Sequence, residues 1–220
     1  MEVVVNAATS VDGKLSSRRR EQVRISGPED FDRVDRLRAS ADAVMVGVGT
    51  VLADDPHLTL DVEDRRVQRL RTGRPGNPAR VVADSRARTP LDARILDDAA
   101  TTYVLVADAA PADRREALRE AGADLVAAGD ERVDLVAALD ALEAEGVERL
   151  LVEGGGELLF SLFSAGLVDE LSVYVGSIVI GGREAPTLVD GEGFVDDFPA
   201  LTLVAVDRLD DGVVLRYDVA

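Results

Sequence analysis

The chain has 220 residues, of which 46% are hydrophobic and 30% charged, which suffices for one sizeable core or two small domains. It contains no cysteine and one histidine, which excludes disulfides, thiolate zinc sites and cysteine nucleophiles and leaves too few imidazoles for a histidine-built metal site. The net charge of −17 and the 4% aromatic content disfavour nucleic acid and anionic membranes as partners.

The N-terminal sequence MEVVVNAATS lacks the basic start, apolar core and cleavage site of a secretory signal. No apolar run approaches the roughly 20 residues that span a bilayer, so we expect a cytoplasmic protein. Lys14 is the one lysine among 25 basic residues, whereas aspartate and glutamate number 42. This bias is typical of adaptation to concentrated salt, where screening removes most self-repulsion.

The first part of the chain predicts two strands around one helix. Val3–Asn6 is a short apolar strand that leads into a loop at Asp12-Gly13. A helix begins at Pro28, because proline is favoured in the first turn and acidic residues follow it. Ala43–Val46 is apolar and β-branched, as expected of a buried strand. The apolar residues that share one face of the helix are Phe31, Val34, Leu37 and Ala41.

Arginines also lie on this helix, and a polar stretch follows the second strand. Arg33, Arg36 and Arg38 are expected on a solvated face, paired with neighbouring aspartates. Residues 61–78, DVEDRRVQRLRTGRPGNP, predict a long loop because they are polar and contain several glycines and prolines.

Strands and helices then alternate as far as the C-terminus. The predicted strands are Ala79–Ala83, Thr101–Val106, Asp124–Ala127, Glu148–Val152 and Leu171–Ile180, and the predicted helices are Pro111–Ala121, Asp134–Glu145 and Glu157–Ala165. Leu201–Val206 and Val213–Val219 form a β-hairpin around Asp210-Asp211-Gly212. We predict one α/β domain over residues 1–220, with a mostly parallel central sheet, helices on both faces and an antiparallel C-terminal hairpin.

Ligands of open α/β sheets bind beyond the carboxyl ends of strands, and two such ends carry suitable residues early in the chain. Gly47-Val48-Gly49-Thr50 would let a ligand approach the backbone, although Leu52 stands where a dinucleotide fingerprint needs a third glycine. A plain strand-to-helix turn explains this segment equally well. Asp54-Asp55 is either a catalytic or hydroxyl-binding pair or an ordinary turn.

Two later strand ends give further candidates. Three glycines follow Glu153, and a tight turn alone would need fewer, so we expect backbone pressed against a ligand, with a helix start aimed at a pyrophosphate. The alternative is a purely structural turn. Asp84-Ser85-Arg86 supplies a hydroxyl and a guanidinium that suit the 2′-phosphate of NADP, or else forms a capped turn.

Several segments together resemble a known family. In chain order they are NAATSVDGK, RLRASADAVMVGVGTVLADDPHLT, NPARVVADS, LLVEGGGELLFSLFSAGLVDELSVYV and GGREAPTLVDGEGF. They closely resemble the archaeal-type 2,5-diamino-6-ribosylamino-4(3H)-pyrimidinone 5′-phosphate reductases, over the chain from Val5 to about Val219. They are also similar to the reductase half of bifunctional riboflavin-pathway enzymes, whose fold is like that of dihydrofolate reductase. The resemblance implies NADPH as hydride donor (with NADH possible), a ribitylamino product and a homodimer.

The resemblance also implies roles for individual residues. Glycines 47 and 49 would make room for NADPH, and Thr50, Asp54, Ser85 and the amides of Gly155–Ser161 would contact it. With the strand-end motifs, the expected cofactor residues are Gly47, Gly49, Thr50, Asp54, Ser85, Arg86, Gly154, Gly155, Gly156, Glu157 and Leu158. The expected substrate residues are Arg38, the backbone of Leu58, Glu153 and Ser26. No side chain is assigned as a general acid.

One position departs from the family. The bacterial bifunctional enzymes have a phosphate-binding arginine three residues after the position of Leu58, where this chain has Asp61. Arg65 or Arg66 could substitute for it, or the phosphate could rely on Arg38 and Ser26. Two further hypotheses stay open: a dihydrofolate-reductase-like enzyme for another pterin or pyrimidine, and an NADP-binding module without catalysis.

Overall fold

The computed structural model describes every residue from Met1 to Ala220. The chain divides into two compact units. Unit 1 consists of Met1 and Asp35–Leu151, and unit 2 of Glu2–Val34 and Val152–Ala220. No helix combines the length and the apolar character that a membrane crossing requires.

Unit 1 is built on parallel strands. These are β2 (Ala43–Gly47), β3 (Ala79–Ala83), β4 (Thr102–Val106) and β5 (Asp124–Ala127), paired in the order β5-β4-β3-β2. The valines Val44, Val82 and Val104 are fully buried, as in other parallel sheets covered on both faces. Gly47 is the register partner of Ala83, so the chain leaves β2 and β3 side by side.

Four α-helices and one short 3-10 helix (Arg94–Leu96) lie wholly in unit 1. The α-helices are α2 (Val48–Asp54), α3 (Glu63–Arg71), α4 (Ala112–Glu120) and α5 (Leu135–Ala144). Asp134 caps α5, since its carboxylate accepts a hydrogen bond from the amide of Ala137 at 3.1 Å. Two elements pass from one unit to the other: α1 (Pro28–Ser40) and β6 (Arg149–Val152).

Unit 2 holds the remaining strands and one helix. They are β1 (Glu2–Ser10), α6 (Gly156–Ser164), β7 (Glu170–Gly176), β8 (Leu201–Leu209) and β9 (Gly212–Val219). Strands β1 and β7 are parallel, and β9 lies antiparallel between β7 and β8. Asp210, in the turn of this hairpin, caps α1 by accepting hydrogen bonds from the amides of Glu29 and Asp30 at 3.2 and 3.0 Å.

The predicted α/β class is confirmed, because strands alternate with helices, most pairings are parallel and the C-terminal hairpin is antiparallel. Three strand ends were wrong by three residues or more, and one of them is that of β8, which continues to Leu209 instead of ending at Val206. Strand β1 continues to Ser10 instead of ending at Asn6, and β7 ends at Gly176 instead of Ile180. A Cβ on Gly176 would lie 2.5 Å from the carbonyl oxygen of Ile25, and beyond this close approach the chain leaves the strand.

Two helices are absent from the sequence prediction. The loop predicted over residues 61–78 contains α3, and the apolar turn after Gly47 is α2. The buried residue of α3 is Arg69, whose guanidinium donates to the carbonyls of Ala39, Ala41 and Pro75. A helix held in this way has no apolar stripe, so hydrophobic periodicity does not reveal it.

The buried face of α1 also differs from the prediction. Phe31 is 52% exposed, and the guanidinium of Arg24 lies 5.8 Å from its ring centroid. Asp30 and Asp35 are buried instead, and each is paired with an arginine. Ion pairs take the place of apolar contacts on the buried face of α1. The spacing of apolar residues cannot predict a face that is buried through ion pairs.

Candidate functional site

The adjacent ends of β2 and β3 carry predicted cofactor residues. Gly47 is the N-cap of α2, with an extended backbone (φ −77°, ψ 151°), and no side chain caps this helix. Gly49 and Thr50 lie in its first turn, and a Cβ on Gly49 would meet nothing within 4 Å. Because Gly47 is paired with Ala83, the α2 segment and Ser85 follow neighbouring strand ends. The structure therefore brings these residues to one edge of the unit 1 sheet.

The turn after β3 is held by internal hydrogen bonds. The buried carboxylate of Asp84 accepts from the amide and the hydroxyl of Thr89 at 2.7 and 2.8 Å. The hydroxyl oxygen of Ser85 accepts from the amide of Val133 at 3.0 Å, which leaves its proton available to a ligand. Arg86 is exposed and forms no ion pair within the chain. The turn thus presents one hydroxyl proton and one guanidinium.

The two aspartates at the end of α2 have different environments. The surrounding protein partly desolvates the carboxyl group of Asp54 and raises its pKa. Asp55 has a left-handed backbone (φ 42°), and its carboxylate accepts from the amide of Arg94 at 2.9 Å. The structure therefore explains Asp55 as a turn residue and leaves Asp54 as the candidate for ligand contact.

Arg38 and Leu58, both expected at the substrate, come together in unit 1. Nη1 of Arg38 donates to the carbonyl of Thr59 at 3.1 Å, one residue beyond Leu58. Leu58 has φ +52°, which is uncommon for a leucine, and its side chain is 2% exposed. Its own amide and carbonyl form no hydrogen bond within the chain. An unpaired amide beside a guanidinium suits an anionic or hydroxyl-bearing ligand.

The two arginines considered as substitutes at the phosphate both pair with carboxylates. Nη1 of Arg65 lies 2.5 Å from the carboxylate of Asp35, and Arg66 pairs with the glutamate three residues before it. The amide of Asp61 donates to the same Asp35 at 2.7 Å, while its own side chain is exposed. Nη1 of Arg66 also donates to the carbonyl of Leu60 at 2.8 Å, so Arg38 and Arg66 both reach the loop that follows Leu58.

The glycine triplet lies in unit 2. Gly154 has φ +127°, a conformation essentially restricted to glycine. A Cβ on Gly156 would lie 2.6 Å from the carbonyl oxygen of Thr187 and 2.9 Å from the carboxyl of Asp190. The fold itself thus accounts for two of the glycines without a ligand. Gly155 is the N-cap of α6, and because no side chain caps this helix, its first amides suit an anion.

The other predicted residues of unit 2 occupy different positions. Glu153 directly follows β6 and is half-buried. Glu157 is exposed in the first turn of α6, whereas Leu158 is buried. Ser26 is 8% exposed and precedes α1, whose first amides already bind the carboxylate of Asp210. A phosphate at Ser26 would be repelled by that carboxylate, which weakens the assignment of Ser26.

Sequence reasoning missed a polar network in unit 2. Arg33 was expected on a solvated face, but its side chain is only 15% exposed and contacts Asp30, Asn6 and Ser172. Its pairing with Asp30 is visible in the sequence as an i, i+3 spacing. The contacts with two distant strands leave no local signal.

Comparison with known proteins identifies the family. The family model of the RibD C-terminal domain matches residues 1–215. The 2,5-diamino-6-ribosylamino-4(3H)-pyrimidinone 5′-phosphate reductase of Archaeoglobus fulgidus is 52% identical, over 98% of this chain and 98% of its own length. The reductase of the same name from Methanothermobacter thermautotrophicus is 44% identical, over 99% of this chain and 97% of its own length. The crystal structure of a pyrimidine reductase-like protein from Corynebacterium diphtheriae has the same fold, with a TM-score of 0.86 and 23% identity over 100% of this chain and 92% of its own. This chain therefore belongs to the RibD C-terminal domain family.

Proposed function

We propose that this protein is a 2,5-diamino-6-ribosylamino-4(3H)-pyrimidinone 5′-phosphate reductase that reduces the ribosylamino group to a ribitylamino group in riboflavin biosynthesis. The observation that carries the proposal is the 52% identity, over 98% of both chains, to the archaeal protein of that name. Because the family model matches residues 1–215, we treat the chain as one reductase domain.

The chemistry is a hydride transfer. When the ribosylamine ring opens, C1′ and the exocyclic nitrogen are joined by a C=N bond. Bound NADPH would supply the hydride that C1′ accepts, and a proton from water or from a substrate group would complete the amine. The main task of the protein is alignment, because correct geometry removes much of the entropic barrier.

Residues of unit 1 suit the binding of the sugar phosphate. Arg38 would bind the phosphate, and the unpaired amide of Leu58 would donate to a phosphate or ribose oxygen. The buried side chain of Leu58 fixes the direction of that amide. In unit 2 the carboxylate of Glu153 would accept hydrogen bonds from ribose hydroxyls or pyrimidine amino groups.

For the cofactor we propose NADPH rather than NADH. The hydroxyl proton of Ser85 and the exposed guanidinium of Arg86 suit a 2′-phosphate. In unit 2 the uncapped start of α6 suits a pyrophosphate. The turn at Ser85 and Arg86 by itself fits a 2′-phosphate, and the start of α6 by itself fits a pyrophosphate.

We also propose a homodimer formed through β8. This strand pairs only with β9, so its other edge is open, and both of its faces are exposed. Its large exposed apolar residues are Leu201, Leu203, Val204 and Val206. A long apolar edge strand favours pairing with another chain.

The test is a substrate panel with the purified protein. Oxidation of NADPH in the presence of the phosphorylated ribosylaminopyrimidine, with formation of the ribitylamino product, supports the proposal. Turnover of dihydrofolate instead would favour a dihydrofolate-reductase-like enzyme. NADPH binding with no turnover of either substrate would indicate a binding module.

A further inference from the structure

A buried polar network in unit 2 joins α1 to two neighbouring strands. Nη2 of Arg33 donates to Oδ1 of Asn6 and Nη1 donates to Oγ of Ser172, both at 2.9 Å. Asn6 on β1 and Ser172 on β7 are register partners, so a single guanidinium spans the two strands. Asp30, which is 1% exposed, accepts a hydrogen bond from Nε of Arg33 at 2.8 Å and fixes the guanidinium from its own helix.

The network determines which way the Asn6 amide faces. An arginine can only donate hydrogen bonds, so the oxygen of Asn6 must face Arg33 and the NH2 group must face away. A rotated amide would place N–H groups against N–H groups. The carboxylate of Asp30 restrains the guanidinium in turn, so neither partner can readily adjust. Arg33 therefore selects one orientation of Asn6.

The NH2 group of Asn6 has no partner in the protein. The residue is 5% exposed, and its one side-chain hydrogen bond is the bond that its oxygen accepts. Solvent nevertheless reaches this nitrogen, so it is unpaired but not sealed inside the protein. Buried polar groups are nearly always hydrogen-bonded, and a network built only for stability would satisfy both ends of this amide. A buried, oriented and accessible pair of donors is suited to an acceptor on a ligand.

We propose that Asn6 donates a hydrogen bond to a carbonyl oxygen of a bound ligand, and that Arg33 is the positioning residue that directs it. This inference rests on the proposed function, which supplies two such oxygens: the carbonyl of the pyrimidinone and that of the nicotinamide carboxamide. A neutral donor suits either oxygen, because neither carries a full charge.

The first experiment uses Asn6→Asp, which keeps the size of the side chain and the acceptor for Arg33 but replaces the donor with a second acceptor. We expect kcat/KM to fall about 10- to 100-fold, because a hydrogen bond is lost and two oxygens then face each other. Weaker binding of the pyrimidine with unchanged NADPH affinity assigns the oxygen to the substrate, and the converse assigns it to the nicotinamide. Unchanged kinetics and affinity for both ligands would overturn the proposal.

The second experiment separates positioning from folding. Ser172→Ala removes the other contact of the same guanidinium and is expected to leave kcat and both KM values within about twofold of the wild type, since the bonds from Arg33 to Asn6 and Asp30 stay in place. Arg33→Lys should lower kcat/KM in the wild type but not further in an Asn6→Ala background, because it acts through Asn6. Equal losses from Arg33→Lys in both backgrounds would overturn the positioning role.

Failure of the proposed function would be distinguishable. It would appear as no turnover of the phosphorylated pyrimidine by the unaltered protein. The inference is then decided by NADPH fluorescence titration, in which Asn6→Asp must weaken binding. If NADPH affinity were unchanged in that case, the Asn6 proposal would fail as well.

Discussion

Arg38 contacts the loop at Leu58 through a hydrogen bond to Thr59. We expect Arg38→Ala to lower kcat/KM for the phosphorylated substrate. The decrease should correspond to a loss of about 1.5–3 kcal/mol of binding free energy, the usual contribution of a hydrogen bond to a charged group. Steady-state kinetics with the phosphorylated and dephosphorylated substrates measure this, and only the former should be affected. Arg36→Ala, at an exposed position of the same helix, is the matched control. Unchanged kinetics for Arg38→Ala would exclude a phosphate contact.

Ser85 offers a test of cofactor preference. An aspartate in its place can still accept from the amide of Val133, so the turn should keep its structure. The negative charge of this aspartate would repel a 2′-phosphate. We therefore expect Ser85→Asp to raise KM for NADPH at least about tenfold more than it raises KM for NADH, which corresponds to a difference of about 1.4 kcal/mol in binding free energy. KM values for both cofactors, with Ser85→Ala as control, decide the question. Equal increases would remove the 2′-phosphate role.

At the scale of single residues, the sequence predicts what a local motif carries. Thr50 and Ser85 come within three residues of the ends of the apolar strands β2 and β3, and the structure places these two strand ends side by side. Asn6 lies within an apolar strand and its partner Arg33 is 27 residues away, so no local pattern links them. Contacts of this kind depend on strand register, which one sequence does not specify.

At the scale of elements, one carboxylate ties the end of β1 to the segment after β7. Asp12 accepts hydrogen bonds from the hydroxyl of Ser10 and from the amides of Ile180 and Gly181, at 2.6, 3.0 and 2.8 Å. These bonds, chiefly that from Ser10, lower its pKa from 3.8 to about 2. A carboxylate whose pKa is lowered by folding stabilises the fold above its unfolded pKa, and this contribution is lost as the pH falls toward the folded pKa.

We therefore expect Asp12→Asn to lower the melting temperature at pH 7, and the difference from the wild type to shrink between about pH 4 and pH 2. Thermal unfolding of both proteins across this range is the measurement. Glu192→Gln, at an exposed position, serves as control. A difference that stayed constant with pH would show that the charge of Asp12 does not contribute.

Element prediction succeeds where the buried groups are apolar. Strands β3 and β5 have the predicted bounds because their residues follow ordinary strand patterns. Helix α3 is missed because Arg69 occupies its buried position and bonds to carbonyls up to 30 residues away. Pattern analysis assigns arginine to the solvent, since its hydrogen-bonding partners in the folded chain are not known from sequence.

The proposed dimer is a property of the whole molecule. Val204 and Val206 on the open edge strand β8 are 56% and 57% exposed. Replacing both with arginine should convert a dimer into a monomer, because like charges would meet across a two-fold interface. Light scattering coupled to gel filtration measures the mass. Val136→Arg, at an exposed valine of α5, is the control, and a wild type that is itself a monomer would refute the proposal.

The charge of the whole chain leads to a prediction about salt. With 42 acidic and 25 basic residues the net charge is −17, so the folded chain repels itself in dilute buffer. The Debye length falls from about 10 Å at 0.1 M salt to about 3 Å at 1 M, which removes most of the repulsion between exposed carboxylates. We expect the melting temperature to rise between dilute and molar KCl, by about 2–4 °C for each kcal/mol of repulsion removed. Sucrose, an uncharged excluded solute, separates this screening from a general solute effect, and a melting temperature that KCl did not raise would count against salt adaptation.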